Sequence, residues 1–203
     1  MRKVIIIYDE DSIDSYKNLY KMLDKDKYTI DTVSYLDLDL CTLDKYDIAF
    51  PLVEDKNITN KLKDFNITCV GNAVSSLKLE DIEYNAVVAV IGNKNKVITS
   101  KIAHFDNIEE KFTIPYMLKK DIENKIYNLC IEEYKALNID NNCLMYLSIG
   151  NDIKLISIDT NTNYSKNNLL NTLFNYSNIT NTELLEILIN IAFDNNNSDN
   201  IDM

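Results

Sequence analysis

In residues 3–8, KVIIIY, the segment from Val4 onward is a short unbroken apolar run that limits the fold more than any other stretch of the chain. A strand that is apolar on both sides must be covered on both sides, the signature of an interior strand in a parallel sheet. The next segment fits. SIDSYKNLYKMLDKD places Ile13, Tyr16, Leu19, Tyr20, Met22 and Leu23 at helical spacing behind Ser12, a residue type suited to an N-cap. YTIDTVSYL and YDIAFPL read as a second and a third strand, ITNKLKDFN as a helix, and ITCVG as a fourth strand closed by Gly71. Strands alternating with helices to about residue 81 predict a small parallel sheet wound with right-handed crossovers.

Beyond that point the pattern changes. YNAVVAVIGNKNKVITSKI reads as two antiparallel strands joined at Gly92-Asn93-Lys94-Asn95, a loop with the expected turn residues. DIENKIYNLCIEEYKALN is an amphipathic helix with Ile122, Ile126, Leu129, Cys130, Tyr134 and Leu137 along one side. CLMYLSIGNDIKLISID supplies a second hairpin turning at Gly150-Asn151-Asp152. LISIDTNTNYSKNNLL begins as a strand and opens into a polar loop, the kind of place where chemistry sits. TELLEILINIAF is a last helix, capped by Asn181 or Thr182, with Glu183 and Glu186 near its positive end. The expected division is 1–81 for a first domain, 82–194 for a second, and 195–203 for a flexible acidic tail.

Composition closes off several functions. A formal net charge of −11 argues against nucleic acid or an anionic membrane as partner, because phosphate needs clustered Lys and Arg. Three scattered glycines, Gly71, Gly92 and Gly150, cannot assemble a local phosphate-cradling loop. Cys41, Cys69, Cys130 and Cys143 have no CxxC spacing and apolar neighbours, so they read as buried thiols in a reducing compartment. The start of the sequence, MRKVIIIYDE, is too short in apolar residues for a signal peptide or a span, and a cytoplasmic location is expected.

Six strings in order resemble segments of the D-alanine–D-alanine ligases of the ATP-grasp superfamily. DIAFPL followed by EDKNITNKLKDFNITCVGNAVSSL is similar to that family's Phe-Pro strand end, Glu-Asp loop, helix and PYVG-like strand. AVVAVIGN resembles its VAVLGN strand. IPYML, the helix ending in KALN, and NNCLMYLSI follow its PA-L segment, helix and ARVDF strand. LISIDTNTNYSKNNLL falls on the LEINTLPGFT loop, so the polar stretch stands where the family receives substrate. The resemblance implies an α/β chain: a small parallel Rossmann-like, pre-ATP-grasp sheet followed by a reduced ATP-grasp-like α+β domain with antiparallel strands. It also implies dimerisation, as a homodimer through the amino-terminal domain or a heterodimer with a true ligase.

The same resemblance shows what has changed. The family uses ATP and two Mg²⁺ ions, held by an Asp, a Glu and an Asn. Those three positions here are Tyr146, Ser157 and Asp159, and only Asp159 suits a hard cation. Leu144 stands where the family has an arginine, and Asn168 near its carboxylate-anchoring serine. Most of the central ATP-clamping domain is absent between VSSLKLED and EYNAVVAVIGN. Glu10 (or Asp14 in the same turn), Glu54, Asp55 and Ser76 match remnants of the substrate pocket. Each has an ordinary alternative, since Asp159 is also a plain strand-end carboxylate and acidic loop residues are usually solvated. His104 lacks a visible partner for base catalysis and reads as structural. The expected function is therefore a catalytically inactive ligase-like protein that acts by binding, with no catalytic residue, no metal site and no cofactor. A sensor of an amino acid, dipeptide or nucleotide is the alternative, and an ATP-dependent ligase with a rebuilt site a third.

Overall fold

The apolar run becomes β1 (Arg2–Tyr8), in which Val4, Ile5, Ile6 and Ile7 are all buried. In the computed structural model, residues 1–53, 55–71, 76–93, 95–139, 141–160, 164–165 and 168–199 are described, with the side chains of Lys56 and 197–199 excepted. β1 pairs in parallel with β2 (Tyr28–Ser34) on one side and β3 (Ile48–Leu52) on the other, and β3 pairs with the two-residue β4 (Thr68–Cys69). The order is β2-β1-β3-β4, so β1 is interior and carries the run that has to be covered twice. Helix α1 (Ile13–Met22) follows β1 and buries Leu19, while α2 (Lys56–Asp64) follows β3 and buries Ile58 and Leu62.

One face of this sheet packs Ile5, Ile7, Ala49 and Val53 with Leu43, Tyr46, Ile58, Leu62 and Ile67. The other face is reached by a helix from the far end of the chain. Helix α5 (Asn181–Asp199) buries Leu184, Leu185, Leu188, Ile189 and Ala192. It touches the first residue of three strands: Tyr28 donates its hydroxyl to Glu186, Arg2 lies 4.1 Å over the Phe193 ring, and Asn196 donates to the Thr68 hydroxyl at 3.0 Å.

The second sheet is antiparallel and runs β5-β11-β10-β6-β8-β9, with β7 beside β6. Its strands are β5 (Ser76–Lys78), β6 (Ala86–Gly92), β7 (Val97–Thr99), β8 (Ala103–Asp106), β9 (Lys111–Thr113), β10 (Asn141–Ile149) and β11 (Ile153–Asp159). Helix α3 (Lys120–Ala136) lays Ile126, Cys130 and Tyr134 against Val88, Val90, Cys143, Met145 and Ile158. Helix α4 (Leu169–Tyr176) completes this unit. The β6–β7 loop is closed by Asn93, whose Oδ1 accepts the backbone N–H of Asn95 and of Lys96, both at 2.9 Å; Lys94 lies outside the described residues. Among the described residues no helix is long and apolar enough to cross a membrane.

The α/β class, with a parallel sheet before an antiparallel one, is as expected, but the expected division is not. One unit is Met1–Val74 with Asn161–Asn168 and Asn181–Met203; the other is Ser75–Thr160 with Leu169–Thr180. The first boundary falls before 81 because β5 pairs with β11 and so belongs to the second sheet. The second domain does not run to 194, because α5 buries its apolar side in the first unit. Nor is 195–203 all tail, since α5 continues to Asp199. The cysteines also differ from expectation: Cys130 and Cys143 are buried, Cys69 is half-buried and Cys41 is exposed, at the surface end of a 3-10 segment (Leu40–Lys45).

Candidate functional site

The residues matched to the family's metal positions are all on the β10–β11 hairpin, and their pairing fixes which of them meet. Tyr146 lies opposite Ser157, and Leu144 opposite Asp159. On the far side of β11, Ser157 lies opposite Lys78 and Asp159 opposite Ser76; on the far side of β10, Tyr146 lies opposite Val87 and Leu144 opposite Ala89. Directly opposed residues share a face, with Cβ atoms about 4.5–5.5 Å apart. Two parallel rows result, Val87-Tyr146-Ser157-Lys78 and Ala89-Leu144-Asp159-Ser76, each running from a buried apolar end to an exposed polar one. A β-bulge between Tyr146 and Leu147 ends the regular register beside the first row.

Tyr146 is held on its apolar side. Its ring meets Tyr84 edge-on, with centroids 4.8 Å apart, and Tyr84 stacks in turn on Phe105 at 4.9 Å. Burial first, and then the charge of Asp159, pushes the Tyr146 phenol up to about 12. It therefore stays protonated and neutral across the physiological range. At the open end Lys78 is paired with Asp81 at 2.5 Å. The face thus offers a phenol, two serine hydroxyls, one carboxylate and one paired amine. Two Mg²⁺ ions bridging phosphates require several anionic oxygens, and a neutral phenol with a serine hydroxyl does not supply them. The donor set does not fit the metal pair that the resemblance implies. Among the described residues, no group of three His, Cys, Asp or Glu side chains is placed to hold a metal ion.

Of the other candidates, the structure brings Ser76 to this face, opposite Asp159. Glu10 and Asp55 belong to the parallel sheet, in the loops that follow β1 and β3. Glu10 is exposed. Asp55 caps α2 by accepting the Asn57 N–H at 2.8 Å, and it also accepts the Tyr35 hydroxyl. The Tyr35 bond foremost, with the Asn57 N–H behind it, holds this carboxyl below its ordinary range. Asp55 is thus engaged locally, as a helix cap. Glu54 lies outside the described residues. His104 is structural: its Nδ1 meets the Asn85 carbonyl at 2.9 Å and its ring lies 4.6 Å from Tyr116. In the polar loop after β11, Tyr164 is buried against Phe50, with centroids 6.0 Å apart, and its carbonyl accepts the Asn18 side-chain amide at 2.6 Å.

Sequence reasoning missed Lys78, Tyr84 and Tyr35. Lys78 is on the row only because β5 pairs with β11, and a three-residue strand leaves no periodicity to read. Tyr84 and Tyr35 stand in connections where one tyrosine among thirteen gives no signal.

A four-stranded parallel sheet followed by a larger antiparallel sheet whose last two strands form a hairpin defines the class of scaffold: the fold is that of the D-alanine–D-alanine ligases. The comparison is structural, since no protein-family model matches the chain and no curated protein matches it in sequence. The chain is similar to the D-alanine–D-alanine ligase of Bacillus anthracis complexed with ATP, at a TM-score of 0.79 and 12% identity over 98% of this chain and 100% of that one. It is also similar to the ligase of Coxiella burnetii (TM-score 0.80, 13% identity, 98% and 96% covered) and to the VanG D-Ala:D-Ser ligase of Enterococcus faecalis (0.76, 10%, 94% and 99%).

Proposed function

We propose that this chain uses the ligase scaffold for binding and not for ligation. One observation carries the reading: at two of the three positions matched to metal ligands, the hairpin pairs a neutral phenol with a hydroxyl, Tyr146 opposite Ser157, and leaves Asp159 as the one carboxylate. Phosphoryl transfer rests almost entirely on positioned cations and positive side chains that offset the developing charge. At the position matched to the family's arginine, Leu144 offers no donor. A partner of the same fold, either an active ligase or a second copy, is what a retained scaffold would engage, and cell-wall regulation is the setting that the likeness to D-alanine–D-alanine ligases suggests.

The test is phosphate release by purified protein supplied with ATP, Mg²⁺ and D-alanine, beside thermal-shift titrations with Mg-ATP, Mg-ADP, D-alanine and D-alanyl-D-alanine. No release above background is expected, and no shift with nucleotide. A ligand at a hundred times its dissociation constant adds about 2.7 kcal/mol, which is readily seen. Release that depends on D-alanine and disappears in Asp159→Ala overturns the reading. A shift with amino acid or dipeptide alone replaces it with a sensor.

A further inference from the structure

The parallel sheet ends on β2, which among the described residues pairs only with β1, over seven continuous registers from Tyr28 to Ser34. Outside that ladder, residues 29–33 make no backbone hydrogen bond to any described residue, so the outer row of N–H and C=O groups is open. Edge strands are ordinarily blunted by lysine, proline or a bulge. β2 has none of these. Its one charged side chain, Asp31, accepts the Tyr46 hydroxyl at 2.7 Å.

This edge forms the wall of an open cleft of about 750 Å³. Ile30 and Thr32 line it from the face shared with α1, and Asp31 and Val33 from the other, so the cleft wraps the edge itself. Above the first face α1 presents Tyr16, Lys17, Tyr20 and Lys21. Tyr16 is braced by Tyr8, stacked at 4.1 Å, and two further lysines flank the cleft: Lys25 over the Tyr20 ring and Lys45 over the Tyr46 ring. In a chain of net charge −11, the cleft lining has two lysines to one hydrogen-bonded aspartate.

The spacing is selective as well as the sign. Lys17 and Lys21 are one helical turn apart, about 6 Å along the axis. Alternate residues of an added strand project to one face about 6.6–6.8 Å apart. Acidic residues at alternate positions of a docked strand therefore meet one lysine each, while its intervening residues meet Val33 and Tyr46. A second copy is the poorer occupant, because antiparallel pairing of β2 with itself sets the lysines of α1 against their own equivalents.

We propose that the β2 edge and the exposed side of α1 form a docking groove for an extended acidic segment of a partner protein, which adds as a fifth strand with its acidic side chains on Lys17 and Lys21. The inference concerns the first unit and does not depend on whether the second sheet retains any chemistry. The probe is an end-blocked Glu-Val-Glu-Val-Glu peptide, with Lys-Val-Lys-Val-Lys as control, read by calorimetry and by amide hydrogen exchange. Saturable binding that weakens with salt, slows exchange of the Thr29–Ser34 amides, and falls at least about tenfold in Lys17→Glu/Lys21→Glu supports the groove. Both lysines are exposed, so that variant keeps its fold, checked by its unchanged circular dichroism. Three results overturn the proposal: no binding of the acidic peptide, binding without protection of the β2 amides, or protection that rises with protein concentration alone, which makes a second copy the occupant.

Discussion

Two tyrosines on α3 offer a controlled test of what holds the antiparallel unit together. Tyr134 is 1% exposed and donates its hydroxyl to the Gly92 carbonyl at 2.7 Å, tying the helix to the end of β6. Seven residues earlier, Tyr127 donates to Glu123 Oε1 at 3.1 Å, one turn back on the same half-buried helix surface. Tyr134→Phe and Tyr127→Phe each remove one oxygen and leave the ring, so neither opens a cavity. A buried acceptor that loses its donor costs about 1–3 kcal/mol, whereas a bond that water can replace costs a few tenths. In a chain of this size each kcal/mol moves the midpoint by about 2–4 °C. Tyr134→Phe should then lower Tm by about 4–8 °C for a loss near 2 kcal/mol, and Tyr127→Phe by about 1 °C or less. Both are read by thermal and denaturant melts with far-ultraviolet circular dichroism, taking the transition in which the antiparallel sheet is lost. Equal effects from the two variants, or a neutral Tyr134→Phe, would refute the placement of α3 on this sheet.

Three further outcomes are expected. The Tyr46 hydroxyl is pushed up to about 12 from 10.0, first by burial and then by Asp31, so its folded form favours the proton; that contribution is complete below pH 10 and is lost as pH rises toward 12. Wild-type Tm should accordingly fall more steeply across that window than Tm of Tyr46→Phe. Tyr164→Phe should raise Tm by a few degrees, because the hydroxyl is buried and meets no partner among the described residues; a fall would show that it has one. Thiol reagent should label Cys41 in the folded protein and leave Cys130 and Cys143 until unfolding, counted by mass spectrometry; prompt modification of Cys130 would contradict its burial between α3 and the antiparallel sheet.

The strands that could be read in advance are those whose burial is uniform. VIII of β1 and AVVAVIG of β6 are apolar throughout because both faces are covered, and a run of that kind has few other homes. β5, β8 and β9 are three or four residues long, too short for alternation to rise above chance. Helical spacing announced α1 but overstated its buried side: Leu19 and Leu23 are inside, while Ile13 and Tyr20 are each 36% exposed, because the helix borders an open sheet edge. Periodicity likewise marks 182–193 as a helix without saying which sheet it covers. In the site, Tyr146, Ser157 and Asp159 were legible only through the resemblance, and Lys78 was not legible at all, because its place depends on a strand pairing and not on local pattern.

The return of α5 to the first unit has a consequence during synthesis. The parallel sheet has left the ribosome once Val74 has emerged, yet the helix that seals its second face ends at Asp199, 125 residues later (199 − 74). At roughly 5–20 residues per second the interval is about 6–25 s. Throughout it, the face that α5 will cover is bare, and the intervening chain is building a different sheet. A nascent chain of this design exposes its oldest core longest. A chaperone that holds the first seventy residues should therefore raise its yield more than one that acts on the finished chain.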